Sequence, residues 1–171
     1  MNELLAKYSA EIEQILAKYP ADRKQAAVMP LLHLAQREHG YITKQSIQEI
    51  ADITGVSITD VDSVIGFYTL FHEHEGGRYR LQVCTDLPCA LRGANEFLAA
   101  LCKNIGIKVG EVTPDGLFEI EEVTCLAGCH RAPIMQIQGD GDLVYHENLT
   151  PESAVEIVEG LRQKAAKEGT K

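Results

Sequence analysis

The apolar residues of this 171-residue chain change their spacing once, and that change limits what it can fold into. Through residues 5–71 they recur every three or four positions, as on one face of an α-helix; from Tyr79 onward, stretches that alternate in twos appear between helical ones. A chain patterned this way predicts a helical unit followed by a mixed α+β unit. The expected boundaries are 1–75 and 78–171.

In the first half, Leu5, Tyr8, Ile12, Ile15, Leu16 and Tyr19 line one face, with Glu11, Glu13 and Lys18 opposite, and Pro20 ends the helix. A second helix is predicted from the N-cap Asp22 to Gly40, kinked or split at Pro30. Thr43 caps a third over Lys44–Thr54, stopped by Gly55, and Ser57 or Thr59 opens a fourth that reaches Phe71. Four short helices make a small bundle. His33, His39 and the aromatics Phe67, Tyr68 and Phe71 read as a core or interface face. The half carries more apolar residues than its helices need among themselves, which predicts docking on a partner.

His72-Glu73-His74-Glu75-Gly76-Gly77 then reads as a solvated linker, since His and Glu two apart on such a segment do not converge on a metal. Beyond it, a strand is expected at 79–83, a helix from Pro88 to Lys103 with Leu91, Ala94, Phe97, Leu98 and Leu101 on one face, and a strand at 118–123. Ile134–Ile137 and Leu143–Tyr145 form a hairpin about Gly139-Asp140-Gly141-Asp142. Thr150-Pro151-Glu152 opens the last helix, whose tail from Lys164 to Gly169 is expected to fray. The order β-α-β-β-β-α suits a small sheet of thioredoxin-like type. There is no internal repeat.

Composition narrows the context. With 45% hydrophobic and 24% charged residues the chain is globular, and its longest stretch without charge, Gln25–Gln36, is too short for a membrane span. No basic start precedes an apolar block, so a soluble, intracellular protein is expected. Sixteen Lys and Arg against 25 Asp and Glu leave a net charge of −9, and no basic run exceeds two residues, which argues against nucleic acid or anionic membrane as a partner. The Asn148-Leu149-Thr150 sequon has no consequence in that compartment.

Five cysteines, an odd number, do not suggest a disulfide framework. Cys84 and Cys89 stand as C-x4-C, Cys125 and Cys129 as C-x3-C, and 35 residues separate the pairs. Each pair follows a predicted strand, so both lie on loops that a sheet can bring to one point. Four thiolates suit a [2Fe–2S] cluster, a [4Fe–4S] cluster or tetrahedral zinc, and unligated or disulfide-forming thiols remain an alternative. The C-x-x-C of a thioredoxin-type redox dithiol is absent. Cys102, mid-helix, reads as a buried free thiol.

Longer motifs carry a resemblance. Leu32–Ile42, Gly66–Phe71, Cys84–Ala94 and Glu122–Pro133, within a match over residues 10–163, resemble the small [2Fe–2S] subunit of NADH:quinone oxidoreductase (respiratory complex I), the 24-kDa subunit of the mitochondrial complex. The resemblance implies a helical bundle followed by a thioredoxin-like [2Fe–2S] ferredoxin domain, with the cluster on Cys84, Cys89, Cys125 and Cys129. It implies as partners a flavin-bearing subunit that holds FMN and binds NADH, and the larger iron–sulfur subunit of the peripheral arm. It places the chain on the cytoplasmic side, in the peripheral arm of a membrane-bound complex. In the family the cluster lies on the far side of FMN from the main electron chain, as a side reservoir would. His130-Arg131 departs from the small or acidic residues common there, which bears on the cluster's potential.

The residues also suggest a role. No Gly-x-Gly-x-x-Gly fingerprint, P-loop or nucleophile elbow is present, so no catalytic residue is assigned and this polypeptide is not expected to oxidise NADH by itself. It would exchange single electrons with a flavin held elsewhere. Two ferric ions, two sulfides and four thiolates sum to −2, and reduction to −3 is disfavoured by burial, so such clusters sit near roughly −400 mV. One cation about 8 Å away is worth roughly 2 kcal/mol, on the order of 90 mV, at an effective dielectric near 20. Arg92 and Arg131 flank the ligand loops, and one of them is expected to raise the potential. Two alternatives stand beside this reading: the equivalent diaphorase subunit of an NAD(P)-linked hydrogenase or formate dehydrogenase, and a zinc-stabilised interaction module.

Overall fold

Residues 3–168 are described by a computed structural model, in which the chain divides into two compact units, Met1–Glu75 and Gly76–Lys171. The first contains α1 (Glu3–Leu16), a 3-10 turn (Lys24–Ala27), α2 (Val28–His39), α3 (Lys44–Thr54) and α4 (Ile58–Phe67). Its core joins Ile12 and Ile15 to Leu31, Leu32, Ile50, Val61 and Ile65.

Local chemistry shifts several expected boundaries. Tyr8 leaves helical geometry (φ −122°, ψ 28°) and rotates the buried face of α1, so Leu4 is buried and Leu5 exposed. The helix stops at Leu16 because Lys18 and Tyr19 bond three residues back, not four. Asp22 opens no α-helix; α2 begins at Val28, which puts Pro30 in its first turn, where a missing N–H costs no helical bond and no kink follows. Thr43 caps α3 as expected, and a capping box between Ser57 and Asp60 opens α4. That helix ends at Phe67, four residues early, in a turn closed by Phe71 N–H to Tyr68 O. The N-terminus of α1 is capped from α3: Glu49 accepts the N–H groups of Glu3 (2.7 Å) and Leu4 (2.9 Å).

The second unit is a four-stranded sheet of order β2-β1-β3-β4, formed by β1 (Tyr79–Cys84), β2 (Phe118–Val123), β3 (Met135–Gly139) and β4 (Asp142–His146). β1 runs parallel to β2 and antiparallel to β3, and β3–β4 is a hairpin whose two turn residues, Asp140 and Gly141, have φ of 53° and 83°. The crossover from β1 to β2 holds α5 (Leu87–Ala90) and α6 (Ala94–Ile105), and α7 (Pro151–Glu168) ends the fold. α7 continues as helix through Lys164–Lys167, where fraying is expected from the sequence; Gly169 lies outside the described residues.

Alternation sorts the sheet's two faces. Leu81, Val83, Phe118, Ile120, Met135 and Ile137 share a core with Phe97 and Leu101 of α6 and Val158 of α7. The opposite face is polar yet buried: Arg80 is paired with Glu119 at 2.7 Å, and Gln82 bridges Gln136 and Glu121. The segment before β1 is not the solvated linker its composition suggests. His72 is buried, with its N–H on Gln36 and its carbonyl accepting from Ile42, while Gly77 donates to Glu119 at 3.2 Å. A Cβ on Gly77 would lie 2.5 Å from the backbone of Phe118 and Glu119, so only glycine allows this approach.

The expected helix over Pro88–Lys103 is two helices, broken at Gly93 (φ 96°). Phe97 and Leu101 keep the predicted inward face, but the break turns Leu91 outward, to 79% exposure. Phe71 joins the core of the first unit, whereas His33, His39, Phe67 and Tyr68 lie on its surface. Among the described residues, no helix is long and apolar enough to cross a membrane.

Candidate metal centre

Both cysteine pairs sit where strands end. Cys84 is the last residue of β1, and Cys89 lies in α5, which Asp86 opens by accepting the N–H of Leu87 at 2.9 Å. Both thiols are buried, at 2% and 1% exposure. With Ala94, Ala132 and Ile134 they form a small apolar cluster of their own.

The second pair lies past the end of β2 and is exposed. Cys125 and Ala127 both have left-handed backbones (φ 55° and 57°), conformations costly for residues with a Cβ. Cys129 opens a 3-10 turn, Cys129–Arg131. Gly128 before it packs on Ile134 so closely that a Cβ would stand 2.2 Å from Cδ1.

The loops meet at Cys84. Burial opposes its thiolate, but the N–H groups of Leu126 and Asp86, the Cys89 thiol and the N–H of Cys125 outweigh this and hold its pKa below that of an ordinary thiol. Leu126 and Cys125 belong to the second loop, so that loop's amides reach the first loop's sulfur. Burial, the bond to Cys84 and that sulfur's charge push Cys89 up to about 11, with the Cys129 charge adding to the effect. Four soft donors on two loops, with amides aimed at a sulfur, fit an iron–sulfur cluster. Among the described residues, no three His, Cys, Asp or Glu side chains stand at metal-binding separation.

The remaining candidates fall elsewhere. Cys102 is a half-buried free thiol in α6, raised by burial. Arg92 is exposed, and its N–H donates to Cys89 O at 3.0 Å. Arg131 is exposed but not a lone cation, since its Nη1 donates to Glu147 at 2.8 Å. Sequence reasoning missed the Gly93 break, although a glycine within a helical pattern was the available signal. Nothing in the sequence marked the amide of Leu126.

A mixed sheet with four cysteines on two loops at strand ends defines a class: thioredoxin-like proteins that carry a thiolate-held metal cluster. Residues 12–162 match the family model described as thioredoxin-like [2Fe-2S] ferredoxin, and the chain belongs to that family. It is 42% identical over 151 residues to NADH-quinone oxidoreductase subunit 2 of Thermus thermophilus, across 88% of this chain and 82% of that one. To an NADH-quinone oxidoreductase subunit of Rhizobium meliloti it is 41% identical over 152 residues, 89% of this chain and 87% of that one. Its fold is also similar to a chain of an NAD+-reducing [NiFe]-hydrogenase in the air-oxidized state, with a TM-score of 0.67 and 18% identity over 85% of this chain; this chain spans 24% of that one.

Proposed function

We propose that this chain is the [2Fe–2S] electron-transfer subunit of an NADH:quinone oxidoreductase, with Cys84, Cys89, Cys125 and Cys129 as the cluster's ligands. The observation that carries the assignment is the meeting of the two loops around Cys84, where Leu126 of the second loop packs on the cluster of Cys84, Cys89, Ala94, Ala132 and Ile134. When bound, a [2Fe–2S] cluster accepts and returns one electron at a time. The protein's contribution is to hold four sulfurs, stabilise their negative charge with amides and shield two of them from water. The partners in this reading are a subunit that binds FMN and NADH and the larger iron–sulfur subunit of the peripheral arm, on the cytoplasmic side of a membrane-bound complex. The exposed side chains Phe67, Tyr68 and Leu70 at the end of α4 give the helical unit an apolar surface suited to such docking.

The fold likeness to an NAD+-reducing hydrogenase favours one second reading, the equivalent diaphorase subunit of an NAD-linked hydrogenase. Anaerobic purification with co-purifying subunits identified separates the two. EPR before and after dithionite, with iron and zinc content, tests the common core. A rhombic signal on reduction with about two irons per chain supports it. About one zinc per chain and no signal would replace it with a structural zinc module.

A further inference from the structure

We propose that Glu147 is a positioning residue for the cluster: it holds Arg131, and with it the Cys129 turn, and offsets that arginine's charge beside the ligands. The inference rests on the [2Fe–2S] reading above. Glu147 follows β4 directly, eighteen residues after Cys129, and no motif connects them.

Three bonds join the segment 147–149 to the Cys129 loop. Arg131 Nη1 donates to Glu147 Oε2 at 2.8 Å, the Asn148 N–H to Arg131 O at 2.8 Å, and the Leu149 N–H to Pro133 O at 3.1 Å. Leu149 is itself buried in the core beneath the sheet, so the strap is anchored at one end. Asn148 adopts φ 52° to make its contact. Cys129 needs such a hold. It is exposed, and its turn is otherwise closed by Arg131 N–H to Gly128 O at 2.9 Å and the long Ala132 N–H to Cys129 O bond at 3.4 Å.

Charge follows from the same geometry. Arg131 lies two residues from Cys129, within about 7 Å along the backbone. A lone guanidinium carried on that turn would favour the reduced, more negative cluster. A carboxylate 2.8 Å from it makes the pair a dipole, whose field at the cluster is far weaker than that of a cation. Because a surface ion pair adds little to stability alone, the signature of this one is local: the cluster's potential and its retention.

The test is a redox titration of the reduced-cluster EPR signal in the intact holoprotein, with the rate of iron loss to a chelator measured in parallel. Glu147→Gln should raise the midpoint, by about threefold in the reduction equilibrium, roughly 30 mV for one electron. Arg131→Gln should lower it by a similar factor, and both should lose iron several-fold faster than the wild type. Glu147→Asp keeps the charge with a shorter reach, so its midpoint should stay at the wild-type value while iron loss quickens. Midpoints of Glu147→Gln and Arg131→Gln equal to the wild type, or moving in the same direction, overturn the proposal. If Glu147→Gln takes up no cluster, Arg131→Gln and Glu147→Asp decide by the same criteria. A wild-type protein with no reducible signal instead refutes the cluster reading itself.

Discussion

The two cysteine loops are built differently. Cys84 and Cys89 close a strand and open a capped turn of helix, buried against Ile134 and Ala94, whereas Cys125 and Cys129 stand exposed on a backbone with two left-handed non-glycine residues. The first loop takes its shape from the sheet and core around it. The second stores backbone strain and is held from outside, by its amides on Cys84 and by the 147–149 strap. The buried pair and the exposed pair are thus held by different means, the first by core packing and the second by bonds from outside its own turn.

Cysteine replacement should break this comparison most sharply. Cys84→Ser leaves a hydroxyl in a dry pocket at a sulfur's place, and iron content should fall to near zero. Cys129→Ser has room to turn an oxygen toward the metal and should retain a measurable fraction. Equal loss in both would show that burial does not distinguish the loops.

Gly128→Ala comes next, since its Cβ would meet Ile134 Cδ1 at 2.2 Å. We expect a loss of about 1–3 kcal/mol in chemical denaturation. Ile134→Val removes that atom and alone costs about 1 kcal/mol. The double substitution should therefore cost less than the sum of the two, and additivity would mean that Gly128 and Ile134 do not touch.

Asp140, at the other end of the sheet, supplies a reference that touches neither loop. Burial opposes its charge, but Arg78, the Tyr79 hydroxyl and Lys164 outweigh this and lower its pKa from 3.8 to about 2. A carboxylate depressed in the folded state adds stability above its unfolded pKa and loses it as pH falls, here from about 4 toward 2. Asp140→Asn should cost about 2 kcal/mol near neutrality, with the difference vanishing as pH falls through that window. Its iron content should match the wild type.

Asp86→Ala, which removes the cap of α5, is the smallest effect, about 1 kcal/mol. It should loosen Cys89 and narrow the gap in hydrogen exchange between the loops.

Much of this was legible in order along the chain. Strands 118–123 and 79–83, the Thr43 and Ser57 caps, the hairpin about Asp140-Gly141 and the pairing of cysteines with strand ends all follow from patterns within a few residues. Errors arose where a local signal had two meanings. Pro30 inside an apolar pattern reads as a kink, but a start at Val28 makes it a first-turn residue. Two glycines after a polar run read as a linker, but Gly77 is there so that backbone can approach backbone. The helical pattern around Leu91 ran through Gly93, although the chain breaks there and leaves Leu91 outside.

By itself the sequence determined the change from helical to mixed structure, the sheet's strands and the four thiols at their ends, because periodicity, capping and turn chemistry act over short stretches. Only the tertiary structure decided which thiols are buried, which amides reach Cys84 and that Glu147 holds Arg131. These depend on residues 16 to 42 positions apart meeting across the sheet's end, and such distances are set by packing, which no local pattern records.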